Sequence, residues 1–120
     1  IYVRAISELL ASGTDVRGLA HITGDGFANL TRLRADVGFE IDAPLAVPPI
    51  CAWLCERGGI DAAEAHRVFN MGCGFVAIVP PADADAAVAL LAAHHPGSAP
   101  IGRVSGERDR VTFPGLGFTL

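Results

Sequence analysis

The residue types best suited to chemistry are concentrated between His21 and Arg34, in the order His-Ile-Thr-Gly-Asp-Gly-Phe-Ala-Asn-Leu-Thr-Arg-Leu-Arg. An apolar, strand-like lead-in from Gly18 to Ile22 enters Thr23-Gly24-Asp25-Gly26. A segment that can form a helical turn follows, carrying Asn29, Thr31, Arg32 and Arg34. Glycines let a chain turn sharply and let an anion come close to peptide N–H groups. A helix start would aim further N–H groups at the same spot, and arginine forks match phosphate oxygens. An anion or phosphate site is therefore one reading of this stretch. The other is a plain turn, because the Gly-x-Gly-x-x-Gly spacing of dinucleotide sites and the Gly-Lys-Ser/Thr end of a P-loop are both missing.

A second constellation is Arg67-Val68-Phe69-Asn70-Met71-Gly72-Cys73-Gly74-Phe75. Asn70 and Gly72 stand just before an apolar run, where a loop can line a cleft. A tight helix-to-strand corner would use the same glycines for backbone conformation and close packing. His66 and Arg67, and likewise His94 and His95, are read as helix-end residues favoured by the helix dipole. Asp83 and Asp85 suit a helix start for the same reason. No metal site is expected. Cys51 and Cys55 share one helix side but have no further ligands near them, so buried, reduced thiols and a reducing, cytoplasmic compartment fit better. No Ser/His/Asp or Cys/His order supports a triad.

The elements that must position these residues follow from periodicity and punctuation. Val3, Ile6, Leu9 and Leu10 predict a helix from Tyr2 to Leu10, ended by Ser12-Gly13. Strands are predicted at Gly18–Thr23 and Val37–Ile41. Pro48-Pro49 opens a helix with an apolar stripe of Ile50, Trp53 and Leu54. Asp61 is the expected N-cap of a helix from Ala62 to Arg67, with Glu64 at its third position. The continuous apolar run before Pro80 predicts a central strand covered on both faces. Pro80-Pro81 launches an alanine-rich helix to about His94, ended by Pro96-Gly97. Ile101–Val104 and Arg110–Phe113 read as a hairpin around Ser105-Gly106-Glu107, while Pro114–Leu120 carries no usable period. Helices and strands interleave irregularly, which predicts an α+β fold: a mixed β-sheet with helices packed on it.

Composition sets the bounds. At 120 residues the chain suits a single domain covering residues 1–120. It is 51% hydrophobic and 18% charged with mean hydropathy +0.41, which excludes a disordered chain and leaves room for a partner-facing surface. A net charge of −4 and a pI near 5.4 argue against a nucleic-acid partner. All nine basic residues are arginine. No apolar run reaches the roughly 18–20 residues of a membrane span, so no membrane partner is expected. Ile1-Tyr2-Val3-Arg4 has no basic, leader-like start. A chain that opens on helix residues without methionine is expected to be a piece of a longer protein.

Taken together, the two constellations resemble one family. His21-Ile22-Thr23-Gly24-Asp25-Gly26-Phe27, with Asn29, Leu30 and Arg32, is similar to the His-x-Thr-Gly-Gly-Gly-x…Asn-x-Pro-Arg signature of aminoimidazole ribonucleotide synthetase, the phosphoribosylformylglycinamidine cyclo-ligase of purine biosynthesis. His66-Arg67-Val68-Phe69-Asn70-Met71-Gly72-Cys73-Gly74 is similar to its Tyr-Arg-Thr-Phe-Asn-Met-Gly-x-Gly motif. Ile1-Tyr2-Val3 and Ile101-Gly102-Arg103-Val104 fall in the same order, so the resemblance spans essentially the whole chain. It covers only that enzyme's C-terminal domain; the N-terminal ATP-binding domain is absent from this chain. Asp25 replaces the middle glycine, and Thr31 stands where the family has proline. A carboxylate in an anion-binding turn repels phosphate unless it points away or meets a cation.

The resemblance implies an ATP-dependent ligase that phosphorylates the formyl amide oxygen of formylglycinamidine ribonucleotide. The amidine nitrogen then closes the imidazole ring, giving aminoimidazole ribonucleotide, ADP and phosphate. ATP and Mg2+ would be bound mainly by the N-terminal domain, in a cytoplasmic homodimer, with this domain inactive alone. The implied catalytic residues are His21, donating to the amide or phosphoryl oxygen, and Asn70. The implied substrate- and phosphate-binding residues are Thr23, Gly24, Asp25, Gly26, Phe27, Asn29, Arg32 and Gly72; no metal ligand is assigned. Formylglycinamidine ribonucleotide synthetase, selenophosphate synthetase and thiamine-phosphate kinase belong to the same superfamily and stand as alternatives. A non-catalytic phosphate-binding module is a further one.

Overall fold

The computed structural model describes residues 1–33 and 36–120. Arg34, grouped above with the arginines that follow the glycine turn, lies outside the described residues. The elements run α1 (Val3–Ala11), β1 (Gly18–His21), a 3-10 helix (Gly26–Arg32), β2 (Gly38–Glu40), α2 (Pro49–Gly58), α3 (Ala62–Val68), β3 (Phe75–Ile78), a 3-10 turn (Pro81–Asp83), α4 (Ala84–His94), β4 (Arg103–Ser105), β5 (Val111–Phe113) and β6 (Phe118–Thr119). This is the expected α+β class, with the strands divided between two sheets. β1 and β3 form an antiparallel pair, and the second sheet has the order β4-β2-β5-β6. That second sheet is mixed: β2 runs antiparallel to β4 and parallel to β5.

Local signals explain the helix ends. Ser12 closes α1 by donating its hydroxyl to the Leu9 carbonyl at 2.7 Å. The Asp61 carboxylate accepts the Glu64 N–H at 2.9 Å, the N-cap read from the sequence. Gly59, at φ +61°, gives α2 a left-handed stop. α1 and α4 pack together, and His94 Nε2 meets a Glu8 carboxylate oxygen across them at 2.6 Å.

The core joins both sheets. Ala20, Ile22, Phe27, Leu30, Phe39, Ile41, Ala65, Met71, Cys73, Val111 and Phe113 make one buried cluster. Phe113 is its hub, edge-on to Phe27 at 5.2 Å and stacked with Phe118 at 4.8 Å. Ring pairs in these geometries add to the stabilisation from buried area.

Three expectations need correction. β3 is covered on both faces but is not central, since among the described residues it pairs with β1 alone. Val76 and Ile78 pack on the core while Phe75 and Ala77 face α1 and α4, so the run is apolar on both sides without a second strand neighbour. Ile101–Val104 and Arg110–Phe113 do not form a hairpin. β2 lies between β4 and β5, and the connection crosses above Gly38, where a Cβ would meet the Glu107 carbonyl oxygen at 1.9 Å. The hairpin is instead β5–β6, whose turn and second strand lie inside the Pro114–Leu120 stretch that showed no period. Finally, the Ile50, Trp53 and Leu54 stripe of α2 faces outward, Trp53 beneath the Arg57 guanidinium, while Cys51 and Cys55 pack on the core.

The 3-10 helix abuts α3 through Gly26. Its φ is +49°, and a Cβ there would lie 2.0 Å from the His66 carbonyl oxygen and 2.8 Å from that of Phe69. Gly24, three residues from the strand end, has nothing within 4 Å of the corresponding position. Gly26→Ala is expected to destabilise the fold by about 2–4 kcal/mol, combining left-handed strain with overpacking. Gly24→Ala should stay within about 0.5 kcal/mol of the parent, as unhindered surface changes do. Denaturant midpoints of the two variants check this. The cysteines offer a second test, because burial pushes the Cys73 thiol up to about 11. At pH 8 only about one Cys73 in a thousand is thiolate. A thiol reagent should label Cys51 and Cys55 well before Cys73, as peptide mapping by mass spectrometry would show.

Candidate functional site

The two constellations meet because β1 and β3 pair. His21 is in register with Phe75, and the ladder continues when the Ile22 N–H donates to the Gly74 carbonyl at 2.9 Å. The glycine turn therefore leaves β1 beside the loop that enters β3. A second tie is the contact of Gly26 with the His66 and Phe69 carbonyls at the end of α3. His21, Thr23, Gly24, Asp25, Arg32, Asn70 and Gly72 are exposed around this junction.

Within the turn, the Gly26 N–H donates to the Thr23 carbonyl at 3.0 Å and the Ala28 N–H to the Asp25 carbonyl at 3.0 Å. Asn29 braces the turn from below. Its buried amide donates to the Gly24 carbonyl at 2.8 Å and the Gly26 carbonyl at 2.7 Å. The Gly26 N–H, counted above among the anion donors, is thus spent inside the turn. Phe27 is 1% exposed, its ring among Phe113 and His66. Gly26, Phe27 and Asn29 form the floor of the turn, while Thr23, Gly24 and Asp25 form its open rim.

Asp25 takes a left-handed conformation, φ +71°, at the place where the resembling family has glycine. An aspartate tolerates this region better than most side chains do. Its carboxylate does not stand free: it pairs with the Arg32 guanidinium, both side chains about two-thirds exposed. The pair cancels the charge of the rim.

The neighbouring loop is equally bent. Met71 at φ +49° and Gly72 at φ +94° make consecutive left-handed residues. The Asn70 side-chain oxygen accepts the Gly72 N–H at 3.0 Å, and the Asn70 carbonyl accepts the Cys73 N–H at 2.9 Å. A Cβ on Gly72 would strike Pro48 at 2.9 Å, so the segment that opens α2 lies directly against this loop.

Several residues around the site were not marked by sequence. Tyr2 lies edge-on to His21 at 5.8 Å and against His95 at 4.9 Å. Its hydroxyl fills the space a Gly74 Cβ would take, at 1.9 Å from that position. A cleft of about 50 Å³ opens beside it, lined by Tyr2, Ile6, Phe75, Leu91 and His95 among others. The second glycine of that constellation, Gly74, was the available signal, since a glycine there vacates room for a neighbour. His66 is a core residue and not merely a helix-end charge: its Nδ1–H donates to the Ala62 carbonyl at 2.7 Å, and its ring lies against Phe113 and Phe118. Among the described residues no group of three or more His, Cys, Asp or Glu side chains could hold a metal ion. No described helix is long and apolar enough to cross a membrane.

The arrangement is similar to known proteins over nearly its whole length. A phosphoribosylformylglycinamidine cyclo-ligase from Methanothermobacter thermautotrophicus is 48% identical over 113 residues, covering 92% of this chain and 32% of that protein. One from Paraburkholderia phymatum is 49% identical over 96 residues, or 78% of this chain and 27% of that protein. The chain thus spans about a third of the length of these curated relatives. Among solved structures, E. coli HypE, a hydrogenase maturation protein, superposes with a TM-score of 0.74 at 28% identity, over 100% of this chain and 38% of that one. A hydrogenase maturation protein HypE in complex with ATP shares the fold, with a TM-score of 0.77 at 24% identity over 98% of this chain and 38% of that one. The model of the family described as AIR synthase related protein, C-terminal domain, matches residues 1–113, and the chain belongs to that family.

Proposed function

We propose that this chain is the substrate-binding C-terminal domain of an ATP-dependent phosphoribosylformylglycinamidine cyclo-ligase, which makes aminoimidazole ribonucleotide in purine biosynthesis. The observation that carries the reading is the pairing of β1 with β3, which sets the glycine turn beside the Asn70–Gly74 loop. Identity near one half to cyclo-ligases, against 28% to a HypE, supports this branch of the superfamily over the others.

In this reading the exposed rim holds the phosphate of the ribonucleotide. The Thr23 hydroxyl, the unobstructed main chain at Gly24 and the Arg32 guanidinium are the donors, and Gly26, Phe27 and Asn29 keep the rim in place. His21, at the strand end and packed on Phe75 and Tyr2, donates to the amide or phosphoryl oxygen as charge develops there. Asn70 and Gly72 shape the opposite edge, next to the substrate amide. ATP is the second substrate, and an N-terminal domain of the same protein supplies most of its contacts in a cytoplasmic homodimer. Mg2+ is held mainly by that N-terminal domain, and no metal ligand is assigned in this one.

The reaction itself is the primary test. The natural product of the gene, with whatever segments flank this chain, should convert formylglycinamidine ribonucleotide and ATP to aminoimidazole ribonucleotide and ADP. A folded, intact preparation that forms neither product overturns the assignment. At the rim, Arg32→Ala should weaken ribose 5-phosphate binding by about 1 kcal/mol, roughly fivefold, because an exposed charge-assisted contact is worth little more. An unchanged dissociation constant by calorimetry would return Arg32 to the role of surface charge. Beneath it, Asn29→Ala should cost about 1–3 kcal/mol of stability in urea, since two carbonyls lose the buried amide that they share.

A further inference from the structure

The rim of the turn contains its own anion. Asp25 sits at the tip in a left-handed conformation, and its carboxylate occupies the Arg32 guanidinium, the one arginine side chain that the described turn offers to a phosphate. The two lie seven positions apart in the chain. They meet because the left-handed step at Asp25 folds its side chain back along the 3-10 helix that carries Arg32. Both groups are exposed, 62% for Asp25 and 64% for Arg32, so the pair is open to exchange with an ion from solution. An exposed ion pair of this kind is weak, and salt screens it further.

We propose that Asp25 tunes the affinity of the rim by competing with the incoming phosphate for Arg32. The proposal rests on the reading of the rim as a phosphate site. Binding is an exchange: the carboxylate leaves the guanidinium, a phosphate oxygen takes its place, and no bond or proton changes hands. Inorganic phosphate and a phosphate ester displace the same carboxylate, so each meets the same cost of breaking the pair. A phosphate ester that also touches the Asn70–Gly72 loop adds a second contact to that exchange. The pair therefore weakens the hold of the turn on every phosphate, and the second contact alone separates a sugar phosphate from bare phosphate.

The test compares inorganic phosphate and ribose 5-phosphate on the parent chain, Asp25→Gly, Asp25→Asn, Arg32→Ala and the Asp25→Gly/Arg32→Ala double variant, by calorimetry at low salt. Asp25→Asn keeps a side chain that tolerates the left-handed region while removing the charge, so the result does not hinge on the glycine variant folding. Both Asp25 changes should tighten binding by about two- to fivefold, the range an exposed ion pair commands. The gain should be similar for inorganic phosphate and ribose 5-phosphate, should fade as salt rises, and should vanish in the double variant. Unchanged or weaker binding in both Asp25 variants overturns the proposal, as does a gain that persists without Arg32. If Arg32→Ala alone weakens binding while the Asp25 variants do nothing, the phosphate site stands and the competition falls. If no variant binds either ligand, both fall together.

Discussion

Four residue pairs between β1 and β3, extended by the Ile22–Gly74 hydrogen bond, hold together segments that lie far apart in the chain. Everything at the candidate site depends on that ladder. It delivers His21 to the strand end beside Phe75, sends the glycine turn over the end of α3, and brings the Asn70–Gly74 loop to the turn's flank. Two further constraints lock the junction. Gly26 must lack a side chain because the His66 and Phe69 carbonyls occupy its place, and the bare Gly74 leaves the room that the Tyr2 hydroxyl fills. Glycine here is a packing requirement as much as a conformational one.

The division of labour inside the turn follows from burial. Asn29 is buried and spends its amide on two carbonyls, so it sets the shape of the turn. Thr23, Gly24, Asp25 and Arg32 are exposed, so they meet whatever binds. Asp25 has two costs in this position: a left-handed backbone that glycine would adopt freely, and a negative charge on a rim suited to anions. The ion pair with Arg32 offsets the second by neutralising the rim. The rim is consequently less attractive to small anions than its glycines suggest.

Sequence was informative where the cause of structure was local. The Asp61–Glu64 cap, the stop at Gly59 and the helical turn after Gly26 each follow from a few adjacent residues. It was misleading where a distant segment intervened. The hairpin read at Ser105-Gly106-Glu107 fails because β2, from the first half of the chain, takes the middle position and Gly38 gives the connection room to cross. α2 is apolar on two sides, so periodicity could not tell the Cys51/Cys55 side that faces the core from the Ile50/Trp53/Leu54 side that does not. The motifs of the site were legible as motifs. Their meeting was not, because it depends on a strand pairing, and neither was the Asp25–Arg32 pair, which lies beyond the i,i+3 and i,i+4 spacings of direct helical neighbours.

The central claim is that the turn and the loop are two parts of one binding wall. Amide cross-peaks of the labelled chain, followed by NMR during titration with ribose 5-phosphate, test it most directly. Residues 21–25 and 70–74 should shift together, along one saturation curve. Shifts confined to one segment, or placed elsewhere in the domain, would contradict the claim.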